Sequence, residues 1–90
     1  MIRGARMRIR NRLGMHARAA TVFVQLASRF TCELRVRKDD VEVNGKSIMG
    51  VLQLAAGQGC EIEVEAEGPE AGPALAALSR LVDDRFGEES

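Results

Sequence analysis

Cys60-Glu61-Ile62-Glu63-Val64-Glu65-Ala66-Glu67 alternates apolar and acidic residues without a break. A period of two places Cys60, Ile62, Val64 and Ala66 on one face of a strand and four glutamates on the other. Like charges repeated along one strand call for cationic neighbours, and two other segments supply them. Ala5, Met7 and Ile9 alternate with Arg6, Arg8 and Arg10, whereas Cys32, Leu34 and Val36 alternate with Glu33, Arg35 and Arg37. Setting the glutamate strand between these two pairs opposite charges across both seams, each opposed pair contributing about 0.2–1 kcal/mol. Val41 and Val43 flank Glu42 in a short third strand after the polar turn Lys38-Asp39-Asp40. It falls at the edge, beside the second strand. The expected sheet order is therefore 1-4-2-3.

Three helical patterns lie between these strands. Ala19/Ala20, Phe23, Leu26/Ala27 and Phe30 form one apolar stripe from about Ala17 onward. Asn44-Gly45 is the strongest short hairpin signal, yet no alternating strand follows it. Ile48, Val51/Leu52 and Ala55 instead predict a short helix capped by Ser47 and stopped by Gly57-Gln58-Gly59. A last helix begins near Gly68-Pro69-Glu70 and carries Leu75, Leu78, Val82 and Phe86 as its apolar stripe, with a frayed tail at Gly87-Glu88-Glu89-Ser90. The order is βαββαβα, an α+β fold. Each strand has one apolar and one charged face, which predicts a four-stranded antiparallel sheet with three helices on one side and water on the other.

Ninety residues suffice for one domain, 1–90, with a core over about 5–86 and short flexible termini. The formal net charge is zero, but residues 1–18 hold six arginines and no acid, and nine acids lie from Glu61 onward. Pairing between strands explains that asymmetry better than nucleic-acid binding. The arginines alternate instead of clustering, and there is no Trp or Tyr to stack on bases. No signal peptide or membrane-spanning run is visible, and Cys32 and Cys60 are expected as buried thiols of a reduced, cytoplasmic protein. Their spacing fits no zinc pattern, so neither a metal nor a cofactor is expected.

The one histidine lies in Asn11-Arg12-Leu13-Gly14-Met15-His16-Ala17-Arg18-Ala19-Ala20. Gly14 suits a tight entry, and the helical pattern that follows places His16 at the first turn with unpaired N–H groups behind it. Such a helix end attracts anions, with the backbone of Ala17 and Arg18 as the phosphate-binding groups. The Arg18 guanidinium is suited to gripping phosphate. Together they look like a site that accepts a phosphoryl group.

Gly14 to Ala20 closely resembles the active-site segment of the HPr family, the histidine-containing phosphocarriers of the bacterial phosphotransferase system. Gly45-Lys46-Ser47-Ile48-Met49-Gly50-Val51-Leu52 resembles the segment around that family's regulatory serine. The resemblance spans about Met7 to Phe86 and implies an open-faced β-sandwich of strand order 1-4-2-3. It implies that His16 carries phosphate on Nδ1, taken from enzyme I and passed to an EIIA-type acceptor, with Arg18 stabilising it. It further implies that an HPr kinase/phosphorylase phosphorylates Ser47. Ala19 departs from the family pattern, which has proline there in most members; alanine, the best helix former, keeps the helix. Thr21 and Gln25 on the first helix and Ile48, Met49, Leu52 and Gln53 on the second are candidates for partner binding, Met49 the one most expected to be exposed. A monomer is expected. Two other readings stand beside this one: an interaction-only regulator on the same fold, and a small α/β ligand- or RNA-binding module without phosphoryl chemistry.

Overall fold

The computed structural model describes residues 2–90; Met1, the first residue of the expected domain, lies outside them. The elements are β1 (Ile2–Arg8), α1 (Ala17–Ala27), β2 (Glu33–Lys38), β3 (Val41–Asn44), α2 (Ile48–Gln53), β4 (Glu61–Glu67) and α3 (Ala71–Asp83), followed by a single turn at Arg85–Gly87. The four strands form one antiparallel sheet in the order β1-β4-β2-β3, as the charge pattern predicts. The three helices cover one face, and the other carries the charges.

The register shows how the central glutamates are matched. Arg6 and Arg8 lie opposite Glu63 and Glu61 on one side, and Arg35 and Arg37 lie opposite Glu65 and Glu63 on the other. Arg35 is the hub: its guanidinium is 2.9 Å from Glu65 and 3.3 Å from Glu67. It also lies 3.5 Å from Glu33, so it bridges the one like-charged pair of this seam, Glu33 opposite Glu67. The ladder does not extend to the start of β1. There the outward positions are Ile2 and Gly4, paired with Glu67 and Glu65, and the guanidinium of Arg3 lies near Gly72 of α3 instead. β1 thus begins earlier than the alternation of Ala5 to Arg10 suggests, and it ends at Arg8.

Beneath the sheet, Phe23 of α1, Ile62 and Val64 of β4, Val36 of β2, Val51 of α2 and Leu78 and Val82 of α3 are all but completely buried. Cys32 and Cys60 only flank this core; both are half-buried free thiols, because each precedes its strand at the sheet margin. The Asn44-Gly45 pair makes no hairpin. Asn44 Oδ1 accepts from Lys46 N at 2.9 Å and turns the chain into α2, while Gly45 packs so closely that a Cβ would stand 2.9 Å from Leu34 Cβ. α1 stops at Ala27, leaving Phe30 half-buried beyond it. α2 stops at Gln53, and the reversal is made by Ala55 at φ 50°, ahead of the glycines expected to end the helix.

The C-terminus overturns an expectation. Phe86 does not continue the α3 stripe. Arg85, Phe86 and Gly87 take φ values of 56°, 55° and 79°, a left-handed turn that folds the chain back and drops the Phe86 ring into the core. Two non-glycine residues held in this region imply strain that the rest of the fold must offset; burial of Phe86 supplies part of it. Within the Gly87–Ser90 tail expected to fray, Gly87 and Glu88 are consequently held in place. Glu88 is hydrogen-bonded at the N-terminus of α1.

Candidate functional site

Gly14 sets the geometry. Its φ is +68°, and a Cβ there would lie 2.6 Å from the carbonyl oxygen of Ala56, so only glycine lets the loop lie against the segment after α2. Met15 N donates to that same carbonyl at 2.8 Å, and the Met15 side chain is buried. His16 follows as the N-cap of α1, in an extended conformation (φ −82°, ψ −179°), its side chain making no capping bond. Its carbonyl accepts from Ala20 N at 2.8 Å. The first N–H groups of the helix, those of Ala17, Arg18 and Ala19, therefore have no carbonyl of a preceding turn to meet. Ala17 and Arg18 are exposed, and Ala19 is fully buried; the helix starts here without the proline.

His16 Nε2 lies 2.6 Å from Glu88 Oε2. The imidazole is 28% exposed and the carboxylate 13%, so the ring remains partly open while its partner is nearly covered. Asn11 completes the arrangement. It is fully buried, and its Nδ2 donates both to the Gly14 carbonyl at 2.8 Å and to Glu88 Oε1 at 2.9 Å. Both amide hydrogens go to acceptors, which fixes the orientation of the amide and leaves Oδ1 as a buried oxygen without a partner. Arg18 Nη1 is 3.7 Å from Glu88 Oε2, and its side chain is about half exposed; that contact is loose enough for the guanidinium to swing toward a ligand. Burial pushes the Glu88 carboxyl upward, but the hydrogen bonds from His16 and Asn11, with the charges of His16 and Arg18, outweigh it and hold the group below its ordinary value.

The other expected residues divide. Ser47 is the N-cap of α2, its hydroxyl accepting from Gly50 N at 3.0 Å. Lys46 Nζ donates to the Phe30 carbonyl at 2.7 Å, tying this turn to the loop after α1. Of the docking candidates, Met49 is 75% exposed, Ile48 is at the margin of exposure, and Gln25 and Gln53 are exposed. Leu52 packs partly buried against the core and is more a core residue than a surface one. Thr21 is half-buried and donates its hydroxyl to the Ala17 carbonyl at 2.8 Å. Leu13, in the loop before His16, is 63% exposed and belongs with Ile48 and Met49 as an apolar residue open to solvent. Asn11, Leu13 and Glu88 were not among the residues expected at the site. Among the described residues, no group of three or more His, Cys, Asp and Glu gathers where a metal could be held, and no helix is long and apolar enough to cross a membrane.

A partly exposed histidine at an uncapped helix start, with an arginine in the first turn, on a βαββαβα sheet, defines a class of small phosphoryl-carrying proteins. Residues 4–84 match the family model described as the PTS HPr component phosphorylation site. The chain is 48% identical over 83 residues to the phosphocarrier protein HPr of Treponema pallidum, covering 92% of this chain and 94% of that one. It is 50% identical over 78 residues to HPr of Neisseria meningitidis serogroup A, covering 87% and 88%. Among solved structures, the crystal structure of HPr-C-His from Thermoanaerobacter tengcongensis superposes with a TM-score of 0.94 at 42% identity, covering 98% of this chain and 99% of that one. The chain belongs to the HPr family, the phosphocarriers of the bacterial phosphotransferase system.

Proposed function

We propose that His16 is the phosphoryl acceptor of this carrier, receiving the group from phospho-enzyme I and handing it to an EIIA-type protein. The observation that carries the reading is His16 at the N-cap of α1 with no side-chain cap of its own. The free N–H groups and the positive end of the helix dipole favour an added anion there, and Arg18, half exposed, reaches the same end. A carrier has to release what it accepts. An open helix end serves that need better than an enclosing pocket, since phosphoryl transfer depends chiefly on alignment and charge stabilisation. The donor and acceptor enzymes supply the remaining groups by docking on the exposed residues around the site, with Met49, Ile48, Gln25 and Gln53 foremost and Thr21 and Leu52 at the margin.

Ser47 is the proposed regulatory site, modified by an HPr kinase/phosphorylase. A phosphate at the start of α2 would add about two negative charges beside Ile48 and Met49, where a partner fitted to neutral serine meets repulsion and a desolvation cost. The protein acts as a monomer in the cytoplasm, its single domain spanning 1–90.

The test is a relay. The protein is incubated with enzyme I and phosphoenolpyruvate, freed of both, and mixed with an EIIA-type acceptor while the intact mass of each is followed. The reading expects one phosphoryl group gained and then lost to the acceptor, and no gain by His16→Ala, which serves as the blank. A protein that is charged but passes nothing on would favour the interaction-only regulator.

A further inference from the structure

An N-cap side chain bonds the second or third N–H of its helix, and α2 shows which one this molecule uses: Ser47 Oγ accepts from Gly50 N at 3.0 Å, the third. Counted from His16, the same position at the start of α1 is Ala19. Its N–H meets no acceptor among the described residues; the first bond of that helix is made one residue later, from Ala20 N to the His16 carbonyl at 2.8 Å. The imidazole does not stand in for the serine hydroxyl, since it makes no cap. Ala17 and Arg18 are exposed, so water can serve their N–H groups, whereas Ala19 is completely buried. A buried donor without an acceptor is costly, and native proteins seldom hold one.

We infer that the Ala19 N–H is a donor reserved for the phosphoryl group. Once His16 is phosphorylated, a phosphoryl oxygen takes the place that the serine hydroxyl holds at α2, and the modified residue becomes the N-cap of its own helix. The inference rests on the carrier reading above and deepens it. The acceptor arrives on the right residue, because the side chain that reaches the third N–H of a helix is that of the N-cap. It arrives charged, and a hydrogen bond to an ionised oxygen is shorter and stronger than a neutral one. No bond inside the protein has to break, since the N–H is unengaged beforehand. The donor exists because residue 19 is alanine. Proline, which most members of the family have in this place, carries no N–H; with proline, only Ala17 and Arg18 could offer theirs.

Two consequences follow from an added donor. One more charge-assisted hydrogen bond stabilises the phosphorylated protein relative to the proteins on either side of it in the relay, so uptake is favoured and release is held back. A single bond of this kind corresponds to about tenfold in the transfer equilibrium. The added bond also ties the modification to the fold. Closing the open end of α1 stabilises that helix as the Ser47 hydroxyl stabilises α2, so the phosphorylated chain resists unfolding more than the free one.

Ala19→Pro removes the N–H and Ala19→Gly keeps it; both are compared with the wild type as full-length chains. His16 is charged chemically with phosphoramidate, which needs no enzyme, and in a second arm with enzyme I and phosphoenolpyruvate. On phosphorylation, the amide proton of residue 19 should move downfield and exchange more slowly in the wild type and in Ala19→Gly. The transfer equilibrium with enzyme I should shift about tenfold toward the enzyme in Ala19→Pro and stay near the wild-type value in Ala19→Gly. The rise in melting temperature on phosphorylation should be smaller in Ala19→Pro, whereas the free forms differ little on this account, because the lost N–H had no partner. If Ala19→Pro does not fold, the wild-type resonance decides alone. A residue 19 amide that stays in place in the phosphorylated wild type, or a transfer equilibrium unchanged in Ala19→Pro, overturns the assignment. A wild type charged by phosphoramidate but not by enzyme I would count against the carrier reading, and the resonance would still judge the Ala19 donor.

Discussion

Two helix starts in this molecule face the same physical problem and solve it in opposite ways. At α2 the N-cap is Ser47, and its own hydroxyl accepts from Gly50 N at 3.0 Å. At α1 the N-cap is His16, whose side chain makes no cap and turns to Glu88 instead. One end is closed by its own residue; the other is left open, and is the end proposed above to take the phosphoryl group. A serine oxygen is short enough to bend back on its helix; an imidazole is too large for that and, once held from its far side, leaves the first N–H groups free. The difference between a closed helix end and an open one thus lies in a single side chain and in what holds it.

Disabling the scaffold of the open end should have the largest effect. Gly14→Ala forces a Cβ to 2.6 Å from the Ala56 carbonyl at a φ of +68°, and a loss of about 2 kcal/mol or more is expected in chemical denaturation, with phosphoryl uptake falling because the loop that positions His16 moves. Arg18→Ala should leave the melting temperature near that of the wild type and slow uptake by roughly tenfold or more, with lysine a partial rescue; stopped-flow or quench-flow transfer from enzyme I measures it. At the closed end, Ser47→Asp should slow uptake several-fold without unfolding, an effect of charge on docking, again read as a transfer rate beside a melting curve. Ser47→Ala sharpens the contrast. It should transfer normally yet lose about 1 kcal/mol as the cap disappears.

The smallest effect separates the two ends by pH. Glu88 titrates below its ordinary value in the folded chain. Its contribution to stability is then complete above the unfolded carboxylate value and is lost as pH falls through the lowered folded one. The advantage of wild type over Glu88→Gln in thermal melts at neutral pH should shrink as the pH falls below the ordinary glutamate range.

Much of this was readable from residue order, and the parts that were not have a common cause. The sheet order followed from charge alone because β4 carries glutamate at each outward position, a pattern with few acceptable neighbours. The placement of His16 and Arg18 at a helix start was legible because a helical period begins at about Ala17. Asn11 and Glu88 belong to no period. Each lies in an irregular segment, and only the return of the chain at Arg85–Gly87, which needs two non-glycine residues in the left-handed region, brings them together. A faint signal existed: Phe86 followed by Gly87 in a polar tail is an apolar ring that must be buried, next to a residue suited to a reversal. The end of α2 was misplaced for a related reason, since Ala55 makes a turn ordinarily left to glycine.

The most direct measurement asks which helix start takes the phosphate. The protein is charged with enzyme I and phosphoenolpyruvate alone, and the phosphoryl group is located by peptide mass and by its lability in acid and persistence in base. The account predicts a single phosphoramidate on His16, nothing on Ser47, and no uptake by His16→Ala. Undiminished uptake by that variant, or an acid-stable phosphate at Ser47 from the same donor, would contradict it.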